Sequence, residues 1–188
     1  HHQVITANPR RYFNQQWLAD HGLIIAMIDG RGTPAKGRNW ERTIAGDVSL
    51  GPIADQVSGL KALGQRYEQL DLTRVGVYGW SFGGYMTQML VLRHPELFKV
   101  GVAGAPVSDW ADYDTHYTER YMGLPAENVE GYKAANVLTY ADKLSRPLML
   151  LYGTVDDNVY PVHTLKASDA YFRAGKRHVV RPLAGFAH

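Results

Sequence analysis

Short apolar runs alternate with helical patterns along almost the whole chain, and this alternation limits the fold more than any other feature. Five runs rich in Val, Ile and Leu are bounded by turn-forming or polar residues: 23–28, 75–78, 100–105, 148–152 and 178–181. Helical spacing between them predicts four helices: 13–20, 52–63, 84–92 and 161–174. Strands that alternate with helices form a mostly parallel sheet with helices on both faces, so we predict a single α/β domain.

Composition supports one globular core and excludes several classes of protein. The chain has 188 residues, of which 45% are hydrophobic and 20% charged, and it carries 20 Lys and Arg against 18 Asp and Glu. The basic residues form no tract, so nothing indicates a nucleic-acid-binding surface. The absence of Cys excludes disulfides, thiolate metal sites and a cysteine nucleophile. No run approaches the roughly 18 apolar residues of a membrane span.

The two ends of the sequence suggest a piece of a longer protein. The first residue is His1 rather than Met, and residues 183–188 form a loop-like run without a terminal helix. We therefore expect residues 1–188 to be an incomplete domain.

The sharpest local signal comes directly after the run 75–78. It is the heptapeptide Gly79-Trp80-Ser81-Phe82-Gly83-Gly84-Tyr85, which leads into a helical pattern. Gly-x-Ser-x-Gly between a strand and a helix indicates a nucleophilic serine on a strained turn. Gly79 and Gly83 would remove side chains that collide with the neighbouring strand and helix, and Gly84 would allow closer packing. The alternative is an ordinary turn in which Ser81 caps a helix.

A serine nucleophile needs a histidine base and an orienting carboxylate, and in such folds the acid precedes the histidine. Asp156 and Asp157 follow the run 148–152, which places them at the same sheet edge as Ser81. One of the two is expected to cap a turn or helix instead. Candidates with weaker placement are Asp109, Asp112, Asp114 and Asp142.

Five histidines follow Ser81: His94, His116, His163, His178 and His188. His188 lies in the loop after the last strand, where the base belongs, although a terminal histidine without a role is the alternative. His94 is predicted to be a surface residue at a helix end. His163, in the first turn of the last helix, and His178, at the start of the last strand, are expected to point away from the carboxyl edge of the sheet.

Further motifs carry a resemblance to a known family. The heptapeptide 79–85, called the elbow from here on, is one of them. The others are Ala105-Pro106-Val107-Ser108-Asp109-Trp110, Tyr117-Thr118-Glu119-Arg120-Tyr121-Met122-Gly123, Gly153-Thr154-Val155-Asp156-Asp157-Asn158-Val159 and Asp29-Gly30-Arg31-Gly32-Thr33. From about Trp17 to His188, the chain resembles the catalytic domain of dipeptidyl peptidase IV-like serine peptidases, in the prolyl oligopeptidase family. The resemblance implies the α/β-hydrolase fold.

The resemblance also implies a role for each matched residue. Ser81 would be the nucleophile and His188 the base. Asp156, the first aspartate of its pair, would be the acid. The backbone N–H of Phe82 would donate to the oxyanion. The family's second oxyanion donor is a tyrosine hydroxyl on a loop that this sequence does not contain.

A pocket for proline should be a small aromatic box, because the proline side chain is compact, apolar and without a donor. The resemblance places Val107, Trp110, Tyr113, Tyr117 and Val159 around that box. Asn158 would donate to the carbonyl of the residue preceding the scissile bond. Trp110 could equally be a core residue. The family usually has Tyr after the nucleophile, whereas Phe82 keeps the ring and lacks the hydroxyl.

The predicted function is that of a serine exopeptidase that releases N-terminal di- or tripeptides after proline or a small residue. An esterase or acylaminoacyl-peptidase-like hydrolase and a catalytically silent binding module are the alternatives. The family's β-propeller, which grips the substrate's amino terminus, is not in this sequence. The resemblance favours a peptide substrate, an extracytoplasmic location and a homo-oligomer. No metal or cofactor is expected, since Asp29-Gly30-Arg31-Gly32 lacks dinucleotide-loop spacing and Arg31 suits a salt bridge.

Overall fold

The structure is a computed structural model that describes residue 5 and residues 9–188, with strands and helices in alternation. The helices are α1 (Pro9–Asp20), α2 (Arg38–Arg42), α3 (Leu50–Arg66), α4 (Phe82–Arg93), α5 (Thr115–Met122), α6 (Val129–Ala135) and α7 (Pro161–Arg173). The strands are β1 (Val75–Trp80), β2 (Phe98–Gly104), β3 (Leu148–Gly153) and β4 (Val179–Leu183). Two 3₁₀ helices, Trp110–Asp112 and Val137–Lys143, lie between β2 and β3.

The described strands form one parallel sheet in the order β1-β2-β3-β4. Each strand is added on the same side of the previous one, so right-handed crossovers bring α4, the segment 105–143 and α7 to one face. Tyr171 on α7 accordingly donates its hydroxyl to Gln88 Oε1 on α4 at 3.0 Å. Because all four strands run in the same direction, the loops that follow them meet at one edge.

The core lies between this covered face and the helices. Met89 and Val91 on α4, Leu150 on β3 and Tyr171 on α7 are fully buried. Gly101 on β2 lets α4 approach closely, since a Cβ there would lie 2.7 Å from a methyl group of Val91. On the opposite face, Tyr78 and Val100 are exposed, so the helical cover seen in the described residues lies on one face.

Four of the five predicted strands are confirmed, and the run 23–28 is not a strand. Leu23 and Ile24 are exposed, and the segment pairs with no strand among the described residues. An extended segment needs a hydrogen-bonded neighbour to become part of a sheet. Instead, the carbonyl of Ile28 accepts from the Gln56 side chain at 2.9 Å, which fixes the segment to α3.

The four predicted helices are confirmed, with ends that shift by a few residues. Ile53, Val57 and Leu60 form the buried stripe of α3, as their spacing predicts. Pro161 lies in the first turn of α7, and Gly175, with a φ of 69°, follows its end. None of the described helices combines the length and hydropathy that crossing a bilayer requires.

Candidate active site

Ser81 occupies a strained turn between β1 and α4. Its backbone has φ 60° and ψ −120°, a conformation that side-chain-bearing residues rarely adopt. The Ser81 N–H donates to the carbonyl of Gly104 on β2 at 2.9 Å, and its carbonyl accepts from the Tyr85 N–H at 3.0 Å. No hydrogen bond joins its side chain to the end of α4, as an ordinary helix cap would require. Strain that surrounding hydrogen bonds maintain is typical of functional sites.

The glycines around Ser81 have different roles. A Cβ on Gly79 would overlap the backbone of Gly83, and one on Gly84 would overlap the Gly104 carbonyl and lie 3.0 Å from Pro106 Cα. Glycine is therefore required at both positions, as predicted. The prediction for Gly83 is wrong, because a Cβ there meets nothing within 4 Å. The close approach at the elbow is made by Gly79, and Gly83 supplies only the backbone that it approaches.

This difference leads to a stability prediction for two neighbouring glycines. We expect Gly84→Ala to destabilise the protein by about 1–3 kcal/mol, because its new methyl group meets rigid backbone. Gly83→Ala should leave stability unchanged or raise it by up to about 1 kcal/mol, because alanine favours a helix. Urea denaturation of the two purified variants measures both effects. Equal losses from the two substitutions would contradict the assigned contacts.

Asp156 and His188 are joined by a hydrogen bond beyond the ends of β3 and β4. His188 Nδ1 lies 2.8 Å from Asp156 Oδ2. The other oxygen, Oδ1, accepts from the backbone N–H groups of Asn158 at 3.0 Å and Val159 at 2.9 Å. The Asp156 side chain is completely buried and that of His188 is 22% exposed. Three hydrogen bonds thus hold a buried carboxylate against a histidine that solvent reaches.

The loop that carries His188 is attached to the loop that carries Asp156. The Val155 N–H donates to the Phe186 carbonyl at 3.2 Å, and the Gly185 N–H donates to Thr154 Oγ1 at 2.9 Å. A Cβ on Gly153 would overlap the carbonyl oxygens of this second loop. The His188 ring lies 6.4 Å from the ring of Trp80, the residue before Ser81, measured between centroids. All three candidate residues therefore lie at the carboxyl edge of the sheet.

Three of the four weaker candidate acids have structural roles, and the fourth, Asp142, is exposed. Asp109 and Asp114 accept from backbone N–H groups at the starts of a 3₁₀ helix and α5, respectively, and Asp112 pairs with Lys166 at 2.5 Å. The expectation that one member of the Asp156-Asp157 pair caps a turn is confirmed, but the same residue, Asp156, also contacts His188. Asp157 is exposed.

The other histidines differ in how well their predicted positions agree with the structure. His94 ends α4 and contacts Glu96 at 3.0 Å, and His178 contacts Ser168 in the second half of α7 at 2.8 Å, both as expected. The expectation that His163 points away from the site is wrong. Its side chain is fully buried beside Ser108 and Tyr113, because the first turn of a helix that follows a parallel strand lies at the carboxyl edge.

The aromatic residues predicted for the pocket form one cluster around Trp110. Phe82, Tyr113 and Tyr117 lie 5.9, 5.8 and 5.9 Å from Trp110 between ring centroids. Trp110 is only 1% exposed, whereas the other three rings are partly buried. Trp110 therefore packs beneath the rings that border solvent. Burial raises the pKa of the Tyr113 and Tyr117 hydroxyls, so both remain protonated.

The remaining predicted pocket residues are one polar side chain, Asn158, and two valines of the core. Asn158 Oδ1 accepts from the Tyr113 hydroxyl at 2.7 Å, which leaves the Asn158 amide N–H groups as donors. Val107 and Val159 are 1% and 2% exposed and belong to the core. The segment after β2 and the loop after β3 thus meet through the Tyr113–Asn158 pair.

Arg31, in the Asp-Gly-Arg-Gly loop, forms the predicted salt bridge. Its Nη2 lies 2.7 Å from Asp55 Oδ1, and its backbone N–H donates to Asp55 Oδ2 at 2.6 Å. Burial by itself raises the pKa of Asp55, but the hydrogen bonds and charge of Arg31 lower it overall. The loop is therefore fixed to α3.

Comparisons with known proteins agree with this geometry. Residues 9–188 match the family model described as the prolyl oligopeptidase family. Human dipeptidyl peptidase 8 is 43% identical over 169 residues, which cover 88% of this chain and 19% of that protein. Venom dipeptidyl peptidase 4 of Vespa velutina is 36% identical over 166 residues, or 86% of this chain and 21% of that protein.

Solved structures give the same result. The crystal structure of dipeptidyl peptidase 4 from Porphyromonas gingivalis superposes with a TM-score of 0.81 at 38% identity, covering 85% of this chain and 23% of that one. The predicted α/β-hydrolase fold is thereby confirmed. The chain spans about a fifth of the length of these relatives.

Proposed function

Because this chain belongs to the prolyl oligopeptidase family of serine peptidases, we propose that it carries the catalytic centre of a serine dipeptidyl peptidase. The observation that carries the proposal is the 2.8 Å contact between His188 Nδ1 and the buried Asp156, at the same sheet edge as the strained Ser81. Ser81 is assigned as nucleophile, His188 as base and Asp156 as the acid that orients the histidine.

The chemistry follows from these assignments. His188 Nε2 takes the proton of Ser81 Oγ as that oxygen attacks the scissile carbonyl carbon. His188 then gives this proton to the leaving amine, so the C–N bond breaks and an acyl-enzyme remains. A water molecule reverses the steps: its proton goes to His188, its oxygen attacks the acyl carbon, and Ser81 regains a proton. Asp156 stabilises the positively charged imidazole in each step.

The negative charge that develops on the carbonyl oxygen needs donors in a fixed position. The backbone N–H of Phe82, at the first residue of α4, is assigned as one donor. The start of a helix adds the partial positive charge of its aligned peptide groups, which favours an anion at this place.

The same edge offers a pocket for the residue before the scissile bond. The rings of Phe82, Tyr113 and Tyr117 form a compact apolar surface. They pack against a core that includes Trp110, Val107 and Val159. Asn158, with its oxygen occupied by Tyr113, is assigned as donor to the carbonyl of the preceding residue. Such a surface suits proline or another small side chain, and release of a dipeptide follows the names of the relatives.

Turnover of matched substrates tests this proposal. We expect the full-length protein to hydrolyse an Xaa-Pro anilide with a kcat/KM about 100-fold above that of the Xaa-Leu anilide, because leucine overfills a compact aromatic box. The two substrates share their leaving group, so the comparison isolates the pocket. A short-chain aryl ester serves as a third substrate. Turnover of the ester together with equal, slow turnover of both anilides would indicate an esterase instead.

A further inference from the structure

His163 is a buried polar residue that the proposed mechanism does not use. It lies in the first turn of α7 with none of its surface exposed. Its backbone carbonyl accepts from Ser108 Oγ at 2.7 Å, and its Nδ1 lies 3.4 Å from the Ser108 backbone N–H. Both contacts join α7 to the start of the segment 105–143, which supplies the pocket residues Tyr113 and Tyr117. A nearby ion pair between Lys166 and Asp112 joins the same two parts.

The His163 ring also contacts the pocket itself. It packs against Tyr113 in an edge-to-face arrangement, with 6.2 Å between ring centroids. Tyr113 in turn donates its hydroxyl to Asn158 Oδ1 at 2.7 Å. A continuous series of contacts therefore runs from the first turn of α7, through Tyr113, to the amide that is assigned to bind the substrate backbone.

The chemical form of His163 points to a specific use of Nδ1. To accept from the Ser108 N–H, Nδ1 must be unprotonated, so the neutral ring carries its hydrogen on Nε2. Burial lowers the pKa of His163, which favours this neutral form. Nε2 is buried without a hydrogen-bond partner among the described residues, which costs free energy. An apolar side chain would fill the space without that cost, so packing alone does not explain a histidine here.

We infer that His163 is a positioning residue for the substrate pocket: through Nδ1 and its ring it holds Ser108 and Tyr113, and thereby orients Asn158. This inference rests on the proposed function. It assigns to His163 an effect on how peptide substrates bind, and no part in proton transfer at Ser81.

Two amide substitutions separate this role from simple packing. In His163→Asn the amide oxygen can take the place of Nδ1, whereas in His163→Gln the longer side chain moves the amide toward the place of Nε2. We expect His163→Gln to lower the ratio of kcat/KM for the Xaa-Pro anilide to that for an aryl ester by about tenfold, mainly through KM. We expect His163→Asn, which keeps the contact with Ser108 and loses only the ring contact with Tyr113, to lower that ratio by no more than about threefold.

Matched controls make the result specific. His178→Asn changes the other histidine that contacts α7, a partly buried residue that touches the second half of that helix, and should leave the ratio unchanged. Labelling of Ser81 by a fluorophosphonate should remain at the wild-type rate in all three variants.

The possible failures are distinguishable. A wild-type protein that takes up the probe but does not cleave the Xaa-Pro anilide contradicts the proposed function. A wild-type protein that does cleave it, with an unchanged ratio in His163→Gln, overturns the positioning role alone. Equal losses in the Asn and Gln variants overturn the assignment to Nδ1.

Discussion

Replacing Ser81 with alanine should abolish both peptide hydrolysis and labelling by a fluorophosphonate probe. The proposed mechanism has no other group that can form the acyl-enzyme, so kcat/KM should fall by roughly 10⁶-fold, the loss expected when a serine peptidase loses its nucleophile. The fold should survive, because alanine meets the same backbone strain at φ 60° and, among the residues that the structure describes, Ser81 makes backbone hydrogen bonds only. Active-site labelling followed by mass spectrometry identifies the modified residue.

A second serine variant provides the control for this experiment. Ser58 is exposed on α3, a helix that supplies none of the proposed catalytic residues, and Ser58→Ala should keep full labelling and turnover. Circular dichroism of both variants checks that the fold is intact. Probe labelling that persists in folded Ser81→Ala would exclude Ser81 as the nucleophile and, with it, the proposed centre.

The parts of this fold that sequence predicts best are those that short-range chemistry determines. The elbow needs a strand, a serine, a helix and two glycines within eleven residues, and all of these requirements are visible in the order of residues 75–85. Gly83 shows the limit of this reasoning. Its presence in the motif suggests a collision, but which glycine approaches which backbone depends on the path of the turn in space.

The run 23–28 could not be resolved from sequence because a strand is defined by its neighbour. Its composition is typical of a buried strand, yet its hydrogen-bonding groups find no partner strand among the described residues. The wrong prediction for His163 has a related cause. Helical periodicity indicates that a residue belongs to a helix, but the sheet and the segment 105–143 determine what its first turn contacts. The run Tyr160-Pro161 does mark that first turn, and the turn's place after β3 was the available signal.

Replacing Asp156 with asparagine should lower kcat by about 10⁴-fold while leaving the fold and KM nearly unchanged. Asparagine has the same shape, and its single carbonyl oxygen can continue to accept from the N–H groups of Asn158 and Val159. Its amide nitrogen then faces His188 Nδ1 in place of Oδ2. Because an amide N–H donates, Nδ1 must accept and the ring hydrogen moves to Nε2. His188 can then no longer take the Ser81 proton, and it loses the charge that stabilises its protonated form.

The neighbouring residue gives a control of equal charge. Asp157→Asn removes the same negative charge from an exposed side chain one residue away, so a general electrostatic effect on the site would lower kcat in both variants. We expect Asp157→Asn to keep kcat within about twofold, since an exposed charge interacts with the site mainly through water of high dielectric constant. Steady-state kinetics on the Xaa-Pro anilide measures both. If the two substitutions cost the same, or if Asp157→Asn costs more, the acid is not Asp156, and its hydrogen bond to His188 serves only to fix the last loop against β3.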